Sequence, residues 1–307
     1  MANQVEIAVV GGGIAGLTAV QHALQGGCTV AHIMGVEPMG GLVCNVGELQ
    51  GYPVAEEPVS GIGLAAGISA SNAARGATEI FADAISLVRE GTHFRIDMGD
   101  EGDIGAAQVI AATGARLRML DVPGARELTG RGVSQCAWCD GALYKGQDVV
   151  VVGGGDAALE EALHLAELGA KVTMVTRGNS FRARRGYIGR IGELETVRVY
   201  WNHDVAEISG SGGVEAIRIA DRDSGTHREL PCRGVFVFVG LEPNAALLED
   251  HADLAPQGSV ITDAAMQTAT PGLFAVGAVR SGYRGRLVHA VGEAATAAMA
   301  AVSRCAE

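Results

Sequence analysis

Positive charge is scarce in this chain. Lysine and arginine number 23 against 35 aspartates and glutamates, a formal net charge of −12 at pH 7 with histidine neutral. No basic arm or tail offsets that balance, so a nucleic-acid partner is not expected. Long apolar runs are missing too. Val235 to Val239 is only strand-sized, against the roughly 20 residues that a membrane-spanning helix needs, so no membrane is expected. No segment reads as a signal peptide, because an apparent strand, Val5-Glu6-Ile7-Ala8-Val9-Val10, begins almost at once. Of the six cysteines only two lie close together, which is not the spacing of a secreted disulfide framework. The expected compartment is therefore cytoplasmic, where a Cys-x-x-Cys is more often catalytic or metal-binding than structural. Aromatic residues are few, at 4%, while glycine reaches 45 of the 307 residues. That combination suits many close approaches of backbone to a ligand. The length corresponds to about two domains.

The close pair lies in Cys136-Ala137-Trp138-Cys139-Asp140. When oxidised it forms a small ring. A helix starting there lowers the thiol pKa and favours a thiolate, and Asp140 follows the second sulfur directly, where it can move protons. Zinc is the competing reading, but it needs two further ligands at matching spacing. Cys28, Cys44, Cys232 and Cys305 are scattered and offer no second pair. They read as small core residues, and no metal is expected. His164, within a helical stretch, reads as a packing or surface residue.

Glycine turns stand on both sides of this stretch. Val5 to Val10 runs straight into Gly11-Gly12-Gly13-Ile14-Ala15-Gly16, and a helical stretch follows from Leu17 to Leu24. This is GxGxxG between strand and helix: Gly11 allows the turn, Gly13 lets a pyrophosphate approach the backbone, and Gly16 lets helix and strand pack closely. An ordinary glycine-rich turn is the alternative. A second strand covers Cys28 to Ile33. Glu37 lies where an acid bonds a ribose hydroxyl, unless it is a solvated loop glutamate. Gly40-Gly41 through Tyr52-Pro53 reads as a turn-rich loop. A helix is expected over 61–75 and antiparallel strands over 78–89, 92–98 and 103–106. A separate strand, Val109 to Ala112, then ends at Thr113-Gly114, where glycine permits close approach to a ligand.

After a boundary near Arg116 to Gly124 the first pattern returns. Val149 to Val152 leads into Gly153-Gly154-Gly155-Asp156-Ala157-Ala158, a GxGxxA turn, and a helix over 157–168. The next strand, Lys171 to Val175, ends not on an acid but on Thr176-Arg177, with Arg182, Arg184 and Arg185 close behind. An acid at this strand end bonds the free 2′-hydroxyl of NAD, whereas arginines accommodate the 2′-phosphate of NADP. Their location favours the phosphate over a merely solvated face. Strands over 197–201, 205–208 and 214–220 follow, and the apolar run closing at Gly240 mirrors the one that ends at Thr113-Gly114. Leu273 to Gly277 is another strand ending on glycine. A closing helix, about Leu287 to Ser303, presents free N–H groups at its start. The chain thus holds two copies of a nucleotide-binding half.

The stretches GGGIAG, GGLVCNVGELQGYP, AATGA, VSQCAWCDG, VVGGGDAALEEA, RGNSFRA and LFAVGA follow one another over essentially the whole chain. In that order and spacing the sequence resembles the low-molecular-weight thioredoxin reductases and their thioredoxin-reductase-like flavoprotein relatives, class II pyridine nucleotide-disulfide oxidoreductases. The resemblance implies an α/β fold of two Rossmann-like dinucleotide-binding domains, three-layer ββα in type, the second inserted in the first. FAD would occupy 1–115 with 246–307, NADPH the inserted 116–245 that carries the dithiol, and the molecule would be a homodimer. Gly11, Gly13, Ile14, Ala15, Gly16, Glu37, Gly40, Gly41, Thr113, Gly114, Gly277, Arg286 and Leu287 fall at the family's FAD positions. Gly153, Gly155, Asp156, Ala158, Arg177 and Arg182 fall at its NADPH positions. Cys139 is expected to face the flavin, Cys136 to attack the substrate and Asp140 to protonate a leaving thiolate. His289, near the last helix, reads as a packing or surface residue, with a position near the flavin as the alternative. The implied activity is NADPH-dependent reduction of thioredoxin or a similar protein disulfide, or turnover of a small disulfide or dithiol. The resemblance also implies that the domains rotate to exchange nicotinamide and dithiol at the flavin.

Several positions depart from the family. Ala278 stands where an aspartate usually bonds the ribityl chain. A lost charged hydrogen bond costs about 1.5–3 kcal/mol, or roughly ten- to a hundredfold in FAD affinity. Leu42 replaces a glutamine, Gly178 replaces the second arginine of the NADPH motif, and Trp138 is large for its place. The usual Arg-Gln-Ala before the last helix is absent, and Gly285 to Glu293 resembles instead a variant found in other thioredoxin-reductase-like flavoproteins. Three alternatives follow: an oxygen-dependent dithiol oxidase, a flavoprotein reductase for another carrier, and a non-catalytic nucleotide-binding regulator. The intact Cys-x-x-Cys-Asp weighs against the last.

Overall fold

The computed structural model describes residues 3–37, 39–49 and 59–306. The chain forms two compact units, Met1–Arg116 with Glu242–Glu307, and Leu117–Leu241. In chain order the first unit holds β1 (Asn3–Val10), α1 (Ile14–Gln25), β2 (Val30–Ile33), α2 (Gly61–Ala74), β3 (Thr78–Ile80), β4 (Ser86–Glu90), β5 (His93–Asp97), β6 (Asp103–Ala111) and β7 (Ala115–Leu117). Then come β8 (Val133–Ser134), α3 (Ala137–Asp140), β9 (Asp148–Val152), α4 (Asp156–Glu167), β10 (Lys171–Val175), α5 (Arg185–Gly192) and β11 (Arg198–Tyr200). The second unit closes with β12 (His203–Ser209), β13 (Ala216–Asp221), β14 (His227–Pro231) and β15 (Gly234–Val237). The chain returns along β16 (Leu241–Pro243) and ends with β17 (Leu273–Ala275) and α6 (Leu287–Cys305). It passes between the units on β7 and β16, which pair with each other, so the second crossing comes before the expected 245/246.

In the first unit β3, β2, β1 and β6 form a parallel sheet, and β17 joins the end of β6. Alternation along β1 feeds two cores, as the two-residue period of a strand requires. Ile7 and Val9 face the side of α1 and α6, while Ala8 and Val10 face the side of β4 and β5. Ala290, Ala294, Ala297, Ala298 and Ala301 form the buried stripe of α6. Their small side chains let the helix lie close to α1.

Two strand expectations change. The segment 78–89 is not one antiparallel strand: β3 extends the parallel sheet beside β2, and β4 starts the antiparallel hairpin with β5. The expected strands at 103–106 and 109–112 are one, β6. Gly105 does not interrupt it, because it pairs with Gln4 on one side and Arg95 on the other. The expected loop from Gly40 contains a short 3-10 helix, Gly41–Asn45, and its Gln50 to Pro53 lie outside the described residues.

The second unit repeats the plan. β11, β10, β9, β15 and β8 form a parallel sheet, and β12, β13 and β14 an antiparallel one. Val149 and Val151 pack toward α4 and α5, while Val150 and Val152 pack toward the antiparallel sheet. Among the described residues no helix is long and apolar enough to cross a membrane.

Gly16 is where β1 and α1 are drawn together. A Cβ there would fall 1.8 Å from the Gly11 carbonyl oxygen, so backbone itself must move to admit one. Gly16→Ala is expected to destabilise the protein by about 1–3 kcal/mol, the usual penalty for overpacking. Chemical denaturation checks this, and an unchanged midpoint would contradict the packing argument.

Candidate redox and nucleotide-binding sites

β8 delivers Ser134 to the foot of a single helical turn, α3. Cys136 and Cys139 are joined in a disulfide with their Cα atoms 5.3 Å apart. Cys136 occupies the N-cap position, and its Sγ accepts the Cys139 N–H at 3.1 Å. Cys136 is buried and Cys139 exposed. Ser134 ties the turn at both ends: its Oγ accepts the Cys136 N–H at 3.1 Å and its hydroxyl donates to Asp140 Oδ2 at 2.6 Å. Asp140 is thus oriented by a residue that carries no motif of its own.

Helix α4 meets the turn from its inner side. Glu161 Oε2 accepts the Ala137 N–H at 2.7 Å. One helical turn further on, the His164 ring stacks on Trp138 with centroids 3.7 Å apart and planes 15° from parallel. Trp138 nonetheless stays 42% exposed. Burial pushes the Glu161 carboxyl up to about 7, and Glu160 adds to the shift against the opposing pull of the Ala137 N–H. Burial also lowers the pKa of His164, which favours the neutral ring. Cys232 is buried, and desolvation pushes its thiol up to about 12, as befits an unreactive core residue.

The second glycine turn lies in the same unit. Gly153 has φ +142°, and a Cβ on it would fall 2.3 Å from Phe238 O and 3.0 Å from the Ala158 Cβ. Gly155 caps α4 without a side-chain hydrogen bond, and a Cβ on it would meet nothing within 4 Å. Its surroundings are open and the first N–H groups of the helix are uncapped, the arrangement that receives a phosphate. Arg182 is brought to this turn, its N–H donating to Gly154 O at 2.7 Å. Arg177 is exposed just beyond β10. Asp156 is engaged elsewhere: its carboxylate accepts from the backbone N–H and the Nε of Arg184, each at 2.7 Å. It thereby holds the arginine segment beside the turn.

In the first unit Gly11 has φ +121°, and a Cβ there would lie 2.2 Å from Ala112 O. Gly13 caps α1 without a side-chain hydrogen bond, and the buried Ile14, Ala15 and Gly16 begin the helix. Gly40 and Gly41 lie against this turn through the bond from Gly40 N–H to Gly12 O at 2.9 Å. A Cβ on Gly277 would be 3.0 Å from the Ala15 Cβ and 3.9 Å from that of Ala290, so the start of α6, with Arg286 and Leu287, is drawn toward the same place. Thr113 follows Ala112 and exchanges hydrogen bonds with Asn244, which also donates its N–H to Gly114 O at 3.0 Å. Glu37 and Arg286 occupy exposed positions. Beside Glu37, Val36 lines an open cavity of about 450 Å³ together with Phe81, Asp83 and Met98. Phe81, 66% exposed, falls within the segment 78–89 expected as a strand but lies just past the end of β3.

Around the departure at Ala278, Glu293 on α6 accepts the Gly277 N–H at 2.9 Å and pairs with Arg280. Two buried polar atoms of this region, Arg280 Nε and His289 Nδ1, have no protein partner among the described residues.

A profile of the family described as pyridine nucleotide-disulphide oxidoreductase matches residues 5–301. The chain belongs to this family. Thioredoxin reductase from Treponema pallidum is 35% identical over 303 residues, covering 99% of this chain and 98% of its own. Among solved structures, Lactococcus lactis thioredoxin reductase matches with a TM-score of 0.93 at 31% identity, covering 98% of this chain and 99% of its own. Thioredoxin reductase from T. acidophilum matches at 0.92 and 29%, covering 99% and 100%. This pyridine nucleotide-disulphide oxidoreductase therefore has two Rossmann-like domains, uses FAD and NADPH, and performs thiol–disulfide chemistry.

The raised Glu161 carboxyl has a consequence for stability. Its folded-state pKa of about 7 lies above the ordinary 4.5. The folded state therefore binds the extra proton, and stability present below pH 4.5 is lost as pH rises toward 7. The loss amounts to at most about 3 kcal/mol. Glu161→Gln is expected to match the wild type in acid and to melt at a higher temperature at mildly alkaline pH. Melting curves at the two pH values test this; a difference independent of pH would contradict it.

Proposed function

We propose that this oxidoreductase reduces a protein disulfide of the thioredoxin type with electrons from NADPH, through FAD and the Cys136–Cys139 pair, as a cytoplasmic homodimer. The observation that carries the reading is the disulfide itself, oxidised next to Asp140 and in one compact unit with an uncapped nucleotide turn. Thioredoxin as the partner rests on relatives named thioredoxin reductase.

The residues present fit both cofactors. A Cβ on Gly13 would meet only Gly40 O, at 3.9 Å, and one on Gly155 would meet nothing, so each turn leaves room against uncapped helix N–H groups. FAD would be held by Gly11, Gly13, Ile14, Ala15 and Gly16, by Gly40 and Gly41, by Thr113 and Gly114, and by Gly277. Glu37 would take the ribose, with Arg286 and Leu287 at the start of α6. NADPH would be held by Gly153, Gly155 and Ala158, with Arg177 and Arg182 on the 2′-phosphate and Asp156 acting through Arg184. Arg280 Nε and His289 Nδ1, which have no partner among the described residues, are groups that a bound cofactor would satisfy. Ala278 removes one ligand, but the Glu293 bond to Gly277 supports a turn that keeps its shape without the aspartate. When bound, NADPH supplies a hydride and FAD relays its two electrons to a disulfide.

The chain's own chemistry then begins with the dithiol. Cys136 attacks one sulfur of the partner's disulfide as a thiolate, and a mixed disulfide forms. Cys139 attacks the Cys136 sulfur and closes the ring, releasing the partner's second thiol. Asp140, held by Ser134, delivers the proton to the leaving thiolate. Cys136 is buried in the oxidised pair, so this order requires that its sulfur be uncovered for the partner.

Under anaerobic conditions NADPH is expected to bleach the flavin spectrum faster than NADH, and an oxidised thioredoxin to restore it. Bleaching by a small dithiol and by neither nucleotide would replace the reductase with a dithiol oxidase. Arg177→Ala with Arg182→Ala should raise KM for NADPH at least about tenfold, given 1.5–3 kcal/mol for each hydrogen bond to a charge, and leave NADH unchanged. Cys139→Ser should trap a mixed disulfide with the partner that Cys136→Ser does not form. Trapping by the opposite variant would exchange the two roles.

A further inference from the structure

Glu161 is a buried carboxyl that no step above uses. It lies on the inner face of α4 among Ala158, Ala162 and Leu165, 9% exposed. Its Oε2 accepts the Ala137 N–H at 2.7 Å, and that amide is one peptide bond from Cys136. Burying a carboxylate is costly unless strong partners replace water. Among the described residues its hydrogen-bond partner is a single backbone N–H, which is slight compensation and which a glutamine would satisfy equally well. An ionisable group at this point therefore calls for a reason beyond packing.

We propose that Glu161 is the positioning residue of the dithiol: its carboxylate holds the Ala137 amide while the disulfide is closed and takes up a proton when reduction leaves a thiolate on Cys136. This rests on the reading of the pair as redox-active. The step balances as follows. Two electrons from the reductant break the S–S bond; one proton goes to the Cys139 sulfur, one goes to the Glu161 carboxylate, and Cys136 remains a thiolate. Two anions separated by little more than one residue disfavour each other's ionisation, so the pair titrates as a unit. Burial already holds the carboxyl at about 7 before any thiolate forms, so modest repulsion completes the uptake near neutrality.

The surrounding groups leave this coupling in place. Glu160 is the neighbouring charge that acts on Glu161, and it raises the carboxyl further. Glu160 itself faces Tyr187 and Arg190 of α5, Arg184 at the start of that helix, and Asp156 of its own helix. On α3 Asp140 is bound to Ser134, and Tyr144 beyond it feels Asp140. His164 turns its ring to Trp138.

The test is the pH dependence of the dithiol–disulfide equilibrium. Each proton taken up on reduction changes the equilibrium constant tenfold per pH unit, which is about 30 mV for a two-electron couple. Holoenzyme is equilibrated without oxygen against dithiothreitol buffers at mildly alkaline pH and scored by alkylation and mass. The wild type should show a slope of about 60 mV per pH unit and Glu161→Gln about 30 mV, one proton fewer. Equal slopes would overturn the proposal and leave the redox reading standing. A pair that exchanges with dithiothreitol in neither protein would overturn both. Should Glu161→Gln fail to fold, the wild type decides alone. Its redox-difference infrared spectrum must gain a protonated-carboxyl band on reduction that shifts when glutamate is isotopically labelled, and absence of that band overturns the proposal.

Discussion

Backbone carbonyls pressed against glycines govern both halves of this molecule. A Cβ on Gly16 would fall 1.8 Å from Gly11 O, and one on Gly153 would fall 2.3 Å from Phe238 O. Neither place admits a side chain, so helix and strand can approach until only backbone separates them. The closeness aims the uncapped start of α1 and of α4 at the end of its sheet, where the free N–H groups concentrate positive potential. Gly40, Gly41 and Gly277 gather at the first turn, Arg182 at the second. Were either approach relaxed by a methyl group, the elements that follow would be displaced together, because each takes its register from the strand that the turn terminates.

Features governed by local pattern were readable from the chain alone. The strand-turn-helix at Val5 to Leu24 and its repeat at Val149 to Leu168 combine β-branched runs, spaced glycines and apolar periodicity, three signals that agree. The paired cysteines were readable for the same reason, residue type and spacing, and the fold brings Arg182 to the second glycine turn. What escaped was set by partners distant in sequence. β3 leaves the antiparallel set because β2 lies beside it, and Gly105 sits within β6 because two neighbouring strands pair across it. The short helix α5 is rich in arginine and glycine and has a weak propensity of its own. It is held instead by Tyr187 and Ile191 in the core and by the Asp156–Arg184 pair at its start.

The redox turn shows the same division. Cys136, Cys139 and Asp140 announce themselves, whereas Ser134 and Glu161 are ordinary polar residues until the fold brings them to the turn. Glu161 did leave a trace. It falls three residues after Ala158 and four before Leu165, squarely in the apolar stripe of an amphipathic helix. A carboxylate there breaks the pattern, and such a break marks a place where a partner must be sought. Glu293 breaks the alanine-rich helix α6 in a comparable way and proves to hold the Gly277 turn with Arg280. That contact offers a physical route around the missing aspartate, since a half-buried ion pair that also holds the Gly277 N–H ties the turn to α6.

Helix α4 joins the two chemistries of the second unit. Its first residue follows the open glycine at 155, and its middle carries Glu161 and His164, which hold the redox turn from the amide of Ala137 and the face of Trp138. From Gly155 to Glu161 is about 9 Å along a helix axis, at 1.5 Å per residue. One rigid helix thus spaces the nucleotide turn from the carboxyl that holds the redox turn. The same rigidity means that whatever orients the Ala137 amide, above all the state of Glu161, is referred to a frame that also carries the nucleotide.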